Sequence, residues 1–320
     1  MTKSLLKYIP VKKRLETRTE NIENGNDAEV LAVSFLVMAV GAEISWGSRN
    51  EDGRKIDLIC SYDHPWYDKE RFIFFVQVKS GNSYGEKLSD GFKLKTITKN
   101  AAKRTTHPIC IIWVDRNSSD SFWAYIHPRT DSKPQIYGNN HLVTPAMRYD
   151  LARCQAQFLP IKKGGSGIII NQKDSNLKVI RKKSLDKYKS YRATGLFCPS
   201  LGKIEVTRVG WRHMFRKTRA SINKAKSYTT INYLDKILYD IPTEIYISKS
   251  SISEQSEYKY RTSEYVLLYE NIKEQNTPLN NIKVVIRIIE EIRWPKGWTK
   301  NSTLTQFVER RNVLLSCYYK

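Results

Sequence analysis

No two cysteines in this chain stand close enough along the sequence to share a zinc ion. The five, Cys60, Cys110, Cys154, Cys198 and Cys317, are widely spaced, odd in number and without a CxxC pair. That pattern excludes a zinc knuckle, argues against a disulfide framework and fits a reduced compartment. No apolar run reaches the length needed to span a bilayer. The basic N-terminal stretch has neither the apolar core nor the small-residue cleavage site of a secretory signal. A cytoplasmic setting without a membrane partner is therefore expected. The GxxxxGK[ST] phosphate loop is missing as well. Gly164-Gly165-Ser166-Gly167 is too short and wrongly composed to replace it, so any nucleotide-driven motor would have to be another chain. Acidic residues are scarce beside basic ones.

What is abundant is positive charge. In 320 residues, 54 Lys and Arg against 32 Asp and Glu give a formal net charge of +22. A field of one sign this large favours a polyanion and speeds its encounter with the protein. Nucleic acid is the expected partner. Hydrophobic residues make up 40% of the chain, enough to build real cores, and the length suits one large or two ordinary domains.

Residues 1–24 are polar and charged and read as a basic, flexible N-terminal arm. Gly25, Asn26 and Asp27 then offer a helix start. The run 28–40 reads as a buried helix closed by Gly41. Residues 42–46 read as a short strand, and 55–60 as a strand interrupted by one carboxylate, Asp57. Residues 71–79 are rich in β-branched and aromatic side chains, as a central strand requires. After a loop at 81–91, residues 92–104 read as a strand edge and a lysine-bearing helix. Residues 108–115 read as a fully buried strand, with 122–126 as its hairpin partner. The result is a mixed central sheet of about five strands flanked by helices, an α/β (α+β) domain over residues 25–165. Residues 166–195, with Arg181, Lys182, Lys183, Lys187 and Lys189, read as a basic linker. Residues 196–320 read as a separate α+β domain of recognition or regulation. It has a strand at 203–207, Thr207 as a helix cap and a helical stretch at 231–238 ended by Pro242. Strong strands follow at 264–269, 282–289 and 312–319.

The chemistry-bearing residues of the first half lie on adjacent strands. Asp57 interrupts an apolar strand, where a buried carboxylate needs a partner or a metal. Gln77 and Lys79 are two apart on the next strand and so face one side of the sheet. Phosphodiester hydrolysis needs a divalent metal that holds the phosphate and lowers the pKa of a water. Mg²⁺, or Mn²⁺ in its place, takes hard oxygen ligands and keeps several waters. Asp57, the Gln77 amide oxygen and the Val78 carbonyl oxygen are candidate ligands, and Glu29 on the preceding helix is a fourth. Lys79 can orient the nucleophile or offset charge on the transition state. Plainer readings stay open. Asp57 can cap a turn or pair with Arg54 or Lys55, Gln77 and Lys79 can form the wet face of a strand, and Glu29 can be an ordinary first-turn carboxylate.

The order of these residues resembles the PD-(D/E)XK nuclease superfamily, and more narrowly its DUF4365-type and Mrr-like restriction enzymes. The resemblance is carried by an early helix with Glu29, by Ile56-Asp57 and by Val76-Gln77-Val78-Lys79-Ser80. It extends over residues 22–150, with the strand near Trp113 as the later core strand. Ile56 stands where the family's proline would be. Gln77 replaces the commoner Glu, so another residue, such as Glu29, must supply the missing charge. The resemblance implies a restriction-endonuclease-like core and a Mg²⁺-dependent deoxyribonuclease with Glu29, Asp57, Gln77 and Lys79 as catalytic residues. It implies DNA rather than RNA as substrate and a role in defence against foreign DNA. Control by a homodimer partner or a regulatory chain then follows, because such an activity endangers its host.

In the second half the densest patch holds Arg208, Arg212, His213, Arg216, Lys217 and Arg219. A histidine among arginines can act as general acid or base without metal, and arginines clamp phosphates. The patch faintly resembles the basic helix of small RNase-like toxins. Three readings stand: phosphate contacts that position a nucleic acid, a metal-independent RNase centred on His213, or a structural histidine. A non-catalytic nucleic-acid-binding protein is the alternative to the nuclease for the whole chain.

Overall fold

Ala28, Ala32, Leu36 and Ala39 recur at helical spacing and are all buried, which marks one face of a helix packed on a sheet. The computed structural model describes residues 9–47, 56–115, 117–118, 120–128, 136–171, 176–275 and 277–320. The helix, α1, runs over Ile9–Val40. It therefore begins well before the Gly25 region where the sequence suggests a start, and 9–24 is helical rather than a flexible arm. Pro10 is tolerated in a first turn, and the charged residues that follow are good helix formers. Gly25 lies inside the helix, at a cost of about 1 kcal/mol relative to alanine. Gly41 ends α1 at φ 68°, with its N–H donating to the Val37 carbonyl at 3.0 Å, a left-handed C-terminal cap.

Contacts divide the chain into two units. One comprises Met1–Asp63, Arg71–Met147 and Trp298–Thr305; the other comprises His64–Glu70, Arg148–Gly297 and Gln306–Lys320.

In the first unit, β1 (Glu43–Trp46), β2 (Leu58–Asp63) and β3 (Arg71–Ser80) form an antiparallel meander. The chain then makes β4 (Gly85–Leu88), β5 (Gly91–Leu94) and α2 (Thr96–Ala102) before returning as β6 (Ile109–Val114), which pairs parallel with β3. β7 (Ser121–Ile126) closes the sheet antiparallel to β6. The order β1-β2-β3-β6-β7 puts β3 at the centre. Every residue of β6 is buried, because one of its faces packs in a cluster with Phe92, Leu94 and Ala102 while α1 lies against β3 and β6. The 81–91 loop expected from sequence is interrupted by strand at 85–88 and gives way to strand again at Gly91. β4, β5 and β8 (Ile136–Gly138) make a small separate sheet. Phe92 stacks on Phe122 and Tyr137 at 5.1 Å, a contact that the glycine-rich sequence there does not announce.

The second unit is built on a long antiparallel sheet of β12 (Glu244–Gln255), β13 (Tyr258–Glu274), β14 (Thr277–Pro295) and β15 (Glu309–Tyr319). β9 (Ile169–Ile170) pairs parallel with β13, and β10 (Leu196–Cys198) and β11 (Gly202–Ile204) form a short hairpin. The helices are α3 (Met147–Ala156), α4 (Leu177–Thr194), α5 (Arg208–Met214), α6 (Ser221–Ile231) and α7 (Leu234–Tyr239). The basic linker expected at 166–195 is mostly α4. Ser184, Tyr188 and Tyr191 share one helical face and are buried. Ser184 donates to the Tyr228 carbonyl at 2.7 Å and Tyr188 to that of Thr207, also at 2.7 Å. Arg181, Lys182, Lys183 and Lys189 are simply its exposed face. Thr207 stands at the N-cap of α5 as expected, but its side chain makes no capping hydrogen bond.

Inside this unit four buried charges, Asp150, Arg153, Arg261 and Glu290, meet the half-buried Arg310. Glu290, 1% exposed, accepts from Arg153 and Arg310 at 2.8 Å each. Asp150 accepts from Arg153 at 2.7 Å and from Arg261 at 2.6 Å. No helix among the described residues is long and apolar enough to cross a membrane.

Removing one partner of such a network leaves an uncompensated buried charge. Glu290→Ala is expected to cost about 3–5 kcal/mol in urea unfolding. The arginines hold the Glu290 carboxyl below its ordinary value of 4.5, at about 2, against the opposing effect of burial. A depressed carboxyl stabilises fully above its unfolded value and loses that contribution as pH falls through the folded one. The wild-type stability should therefore decline between pH 4.5 and 2, and Glu290→Ala should show a shallower decline there.

Candidate functional site

The centre of the first unit's sheet carries three polar side chains in an apolar setting. Asp57 and Gln77 are 8% and 3% exposed. Asp57 lies just before β2, where the strand no longer offers β3 a ladder carbonyl. Its Oδ2 takes that place and accepts the Val78 N–H at 2.6 Å, while its own N–H donates to the Val76 carbonyl at 2.9 Å. The carboxylate is thereby fixed against β3. Lys79 Nζ lies 3.9 Å from the same Oδ2.

Gln77 and Lys79 share a face of β3, as their spacing requires, and with Asp57 they line one cavity of about 260 Å³. Tyr84, Ile97, Thr98 and Ala101 complete it. The Lys79 ammonium sits 5.7 Å from the centre of the Tyr84 ring, a cation–π distance. Two glycines flank Tyr84 in the chain. Gly81 turns the chain at φ 78°, and its carbonyl accepts the Trp113 indole N–H at 3.1 Å. Gly85 lies flat on the Trp113 ring, where any Cβ would collide. Tyr84 is the site residue that the sequence does not single out. The glycines on either side of it pack on Trp113, distant in the chain, and they alone hint at a constrained loop.

Glu29 does not share the Asp57 cavity. It lines the neighbouring cleft of about 520 Å³ together with Ala28, Val78 and residues 80–83. Lys79 and Tyr84 line both. The structure thus brings Asp57, Gln77 and Lys79 to one cavity and Glu29 to a cleft that shares Lys79 with it. Arg54 and Lys55, the alternative partners of Asp57, lie outside the described residues.

The Gln77 side-chain oxygen is buried without a hydrogen-bond partner. A buried acceptor left unpaired costs about 1–3 kcal/mol, and native interiors seldom keep one without a reason. Among the described residues no group of three or more His, Cys, Asp or Glu side chains is placed to hold a metal ion. A cation here would instead take Asp57 and the orphan Gln77 oxygen, both hard oxygen donors. That donor set fits Mg²⁺ or Mn²⁺ retaining most of its waters.

In the second unit, His213, Arg216 and Arg219 line a common cavity. Arg208, Arg212 and Lys217 are exposed.

Two substitutions separate structure from chemistry. Asp57→Ala should destabilise the unit by about 1–3 kcal/mol in chemical denaturation, because the Val78 N–H loses its acceptor. Gln77→Met, of similar shape and without the orphan oxygen, should raise stability by about 1 kcal/mol in EDTA.

Comparison with family models, with curated proteins and with solved structures returns no match to this chain. Its functional reading therefore rests on the residues themselves.

Proposed function

We propose that the first unit is a metal-dependent phosphodiesterase that cuts DNA, with the PD-(D/E)XK arrangement its sequence resembles. The observation that carries the reading is the buried, unpartnered Gln77 oxygen beside the Asp57 carboxylate and the Lys79 ammonium in one cavity. The order of elements supports it. A helix bearing Glu29 comes first, Asp57 stands at the entry to the second strand, and Gln77 and Lys79 lie on the third. A helix then leads to a parallel fourth strand. The net charge of +22 supports a polyanionic substrate.

Asp57 and Gln77, with the Val78 carbonyl, would hold the cation, and Glu29 would add charge from the adjoining cleft. When bound, a divalent ion neutralises the phosphate and supplies a water of lowered pKa. The remaining work belongs to this chain's own residues. The Val78 N–H fixes the rotamer of Asp57, so the carboxylate needs no reorganisation when substrate arrives. Lys79 would place a positive charge beside the phosphate oxygens, and its ammonium N–H groups can align the attacking water. Tyr84, against Lys79, limits the directions in which the ammonium can point. The preference for DNA, the cytoplasmic defence setting and control by a partner chain belong to the proposal through the resemblance.

The test is cleavage of supercoiled plasmid, linear DNA and RNA in Mg²⁺, Mn²⁺ or EDTA. Metal-dependent nicking of DNA is expected, with a loss of at least about 10²-fold in Lys79→Ala and Asp57→Asn, the scale of one electrostatic contact made in the transition state. Gln77→Met should lose cleavage while gaining stability. RNA cutting that survives EDTA and all three substitutions would overturn the reading and move the chemistry to His213.

A further inference from the structure

The second unit gathers positive charge at one place that its own carboxylates do not balance. His213 lies in the last turn of α5, Arg216 and Arg219 follow that helix, and Asn223 lies in the first turn of α6. Arg287 on β14 stands directly across from Ser316 on β15. These residues and Tyr318 line a cavity of about 260 Å³. Arg287 is paired with Glu264, its Nε donating at 2.7 Å. Arg216 has no carboxylate partner among the described residues. Arg219 is held in place by the Met214 carbonyl at 2.9 Å and by the Tyr318 ring at 5.6 Å, so its guanidinium is set before any ligand arrives.

The crowding is felt by the groups themselves. Burial first, and then Arg216, Arg287 and Arg219, push His213 below its ordinary value, with Glu264 opposing. Burial and Arg216 also lower Arg219, against Cys317 and Tyr318. Like charges held together this way are relieved by an anion. A second sign is independent of charge. Ser316 is 2% exposed, and its hydroxyl has no hydrogen-bond partner. It is a buried donor on the wall of a cationic cavity.

We propose that this cavity binds the terminal phosphate of a phosphomonoester, with Arg216, Arg219 and Arg287 clamping its oxygens and Ser316 donating from the floor. Three guanidiniums against the one Glu264 carboxylate leave two positive charges. A phosphate monoester carries about −1.5 to −2 at pH 7, which matches; a carboxylate or an internal phosphodiester would leave charge uncompensated. Arginine's planar fork suits phosphate oxygens in pairs. The cavity is smaller than the roughly 300–1,000 Å³ of sites for whole drug-sized ligands, so it takes a phosphate group and leaves the rest of the molecule outside. The source is a phosphorylated strand end or a free nucleotide. The inference stands apart from the chemistry proposed for the first unit.

The test is binding of the full chain in EDTA, by calorimetry or fluorescence anisotropy. The probes are one short single-stranded DNA with and without a 5′-phosphate, a nucleoside 5′-monophosphate and inorganic phosphate. The phosphorylated strand should bind about tenfold or more tightly than its unphosphorylated twin, the scale of one charged hydrogen bond. Arg216→Met, a change at an exposed residue that spares the core, should abolish the difference, and Ser316→Ala should reduce it. Competition by the monophosphate at equal strength would assign the site to free nucleotide; its failure would assign it to strand ends. In either case phosphate should move the His213 imidazole titration upward in NMR. Equal binding of the two strands together with no response to nucleotide or phosphate would overturn the proposal. So would a phosphate preference untouched by Arg216→Met. EDTA silences the first unit, so failure here says nothing about cleavage there.

Discussion

A charge taken out of water must find its partner inside the protein, and both units are arranged around that requirement. Glu290 sits at the heart of the second unit's sheet because Arg153, Arg261 and Arg310 converge on it from α3, β13 and β15. Each arm comes from a different element, so the network fixes how helix and strands meet. Such a cluster adds little net stability over an apolar core of equal volume. What it adds is intolerance of other arrangements, since any slip of β13 against β14 would strand a charge. In the first unit the same requirement acts on a smaller scale. Asp57 can lie beneath the sheet surface because the Val78 N–H meets it.

Where the requirement is met, a buried polar group is structural. Many buried atoms of the described residues lack a partner, and two of them belong to side chains that also line cavities. The Gln77 oxygen and the Ser316 hydroxyl are both buried, both unpartnered and both beside cationic side chains. Their neighbours differ. Gln77 lies next to a carboxylate and an ammonium, a mixture suited to a cation and a phosphate together. Ser316 lies among guanidiniums, a setting suited to an anion alone. If the proposed cation and phosphate sites are both real, the chain would carry two sites of opposite preference, as the proposed handling of a phosphate-bearing polymer requires.

Much of the first unit is legible in the residues. The apolar run at 109–114 and the β-branched and aromatic run at 71–80 announce buried strands, and both are strands at the middle of the sheet. The even spacing of Gln77 and Lys79 is enough to put them on one face of a strand. The start of α1 is not legible, because charged residues favour a helix and a solvated arm equally well. Nor is the 85–94 hairpin, whose few apolar residues make sense only against Trp113 and Phe122 of other strands. Residues 177–194 mislead for a related reason. Their basic residues dominate the composition, while three small or aromatic residues at helical spacing decide where the segment lies.

The sequence by itself determined some local choices: the strongly apolar strands at 71–80 and 109–114, the shared face of Gln77 and Lys79, and the excess of positive charge. Those follow from propensity, from periodicity and from counting, all of which act over a few neighbours. Only the tertiary structure decided which of these residues meet. It brought Asp57 to Gln77 and Lys79 but set Glu29 in the adjoining cleft. It placed Tyr84 over Lys79 and carried Arg287 and Ser316 from the two C-terminal strands to the arginines after α5. Each of those meetings joins residues far apart in the chain. Their distances depend on how sheets and helices pack, and packing is a property of the whole fold rather than of any stretch within it.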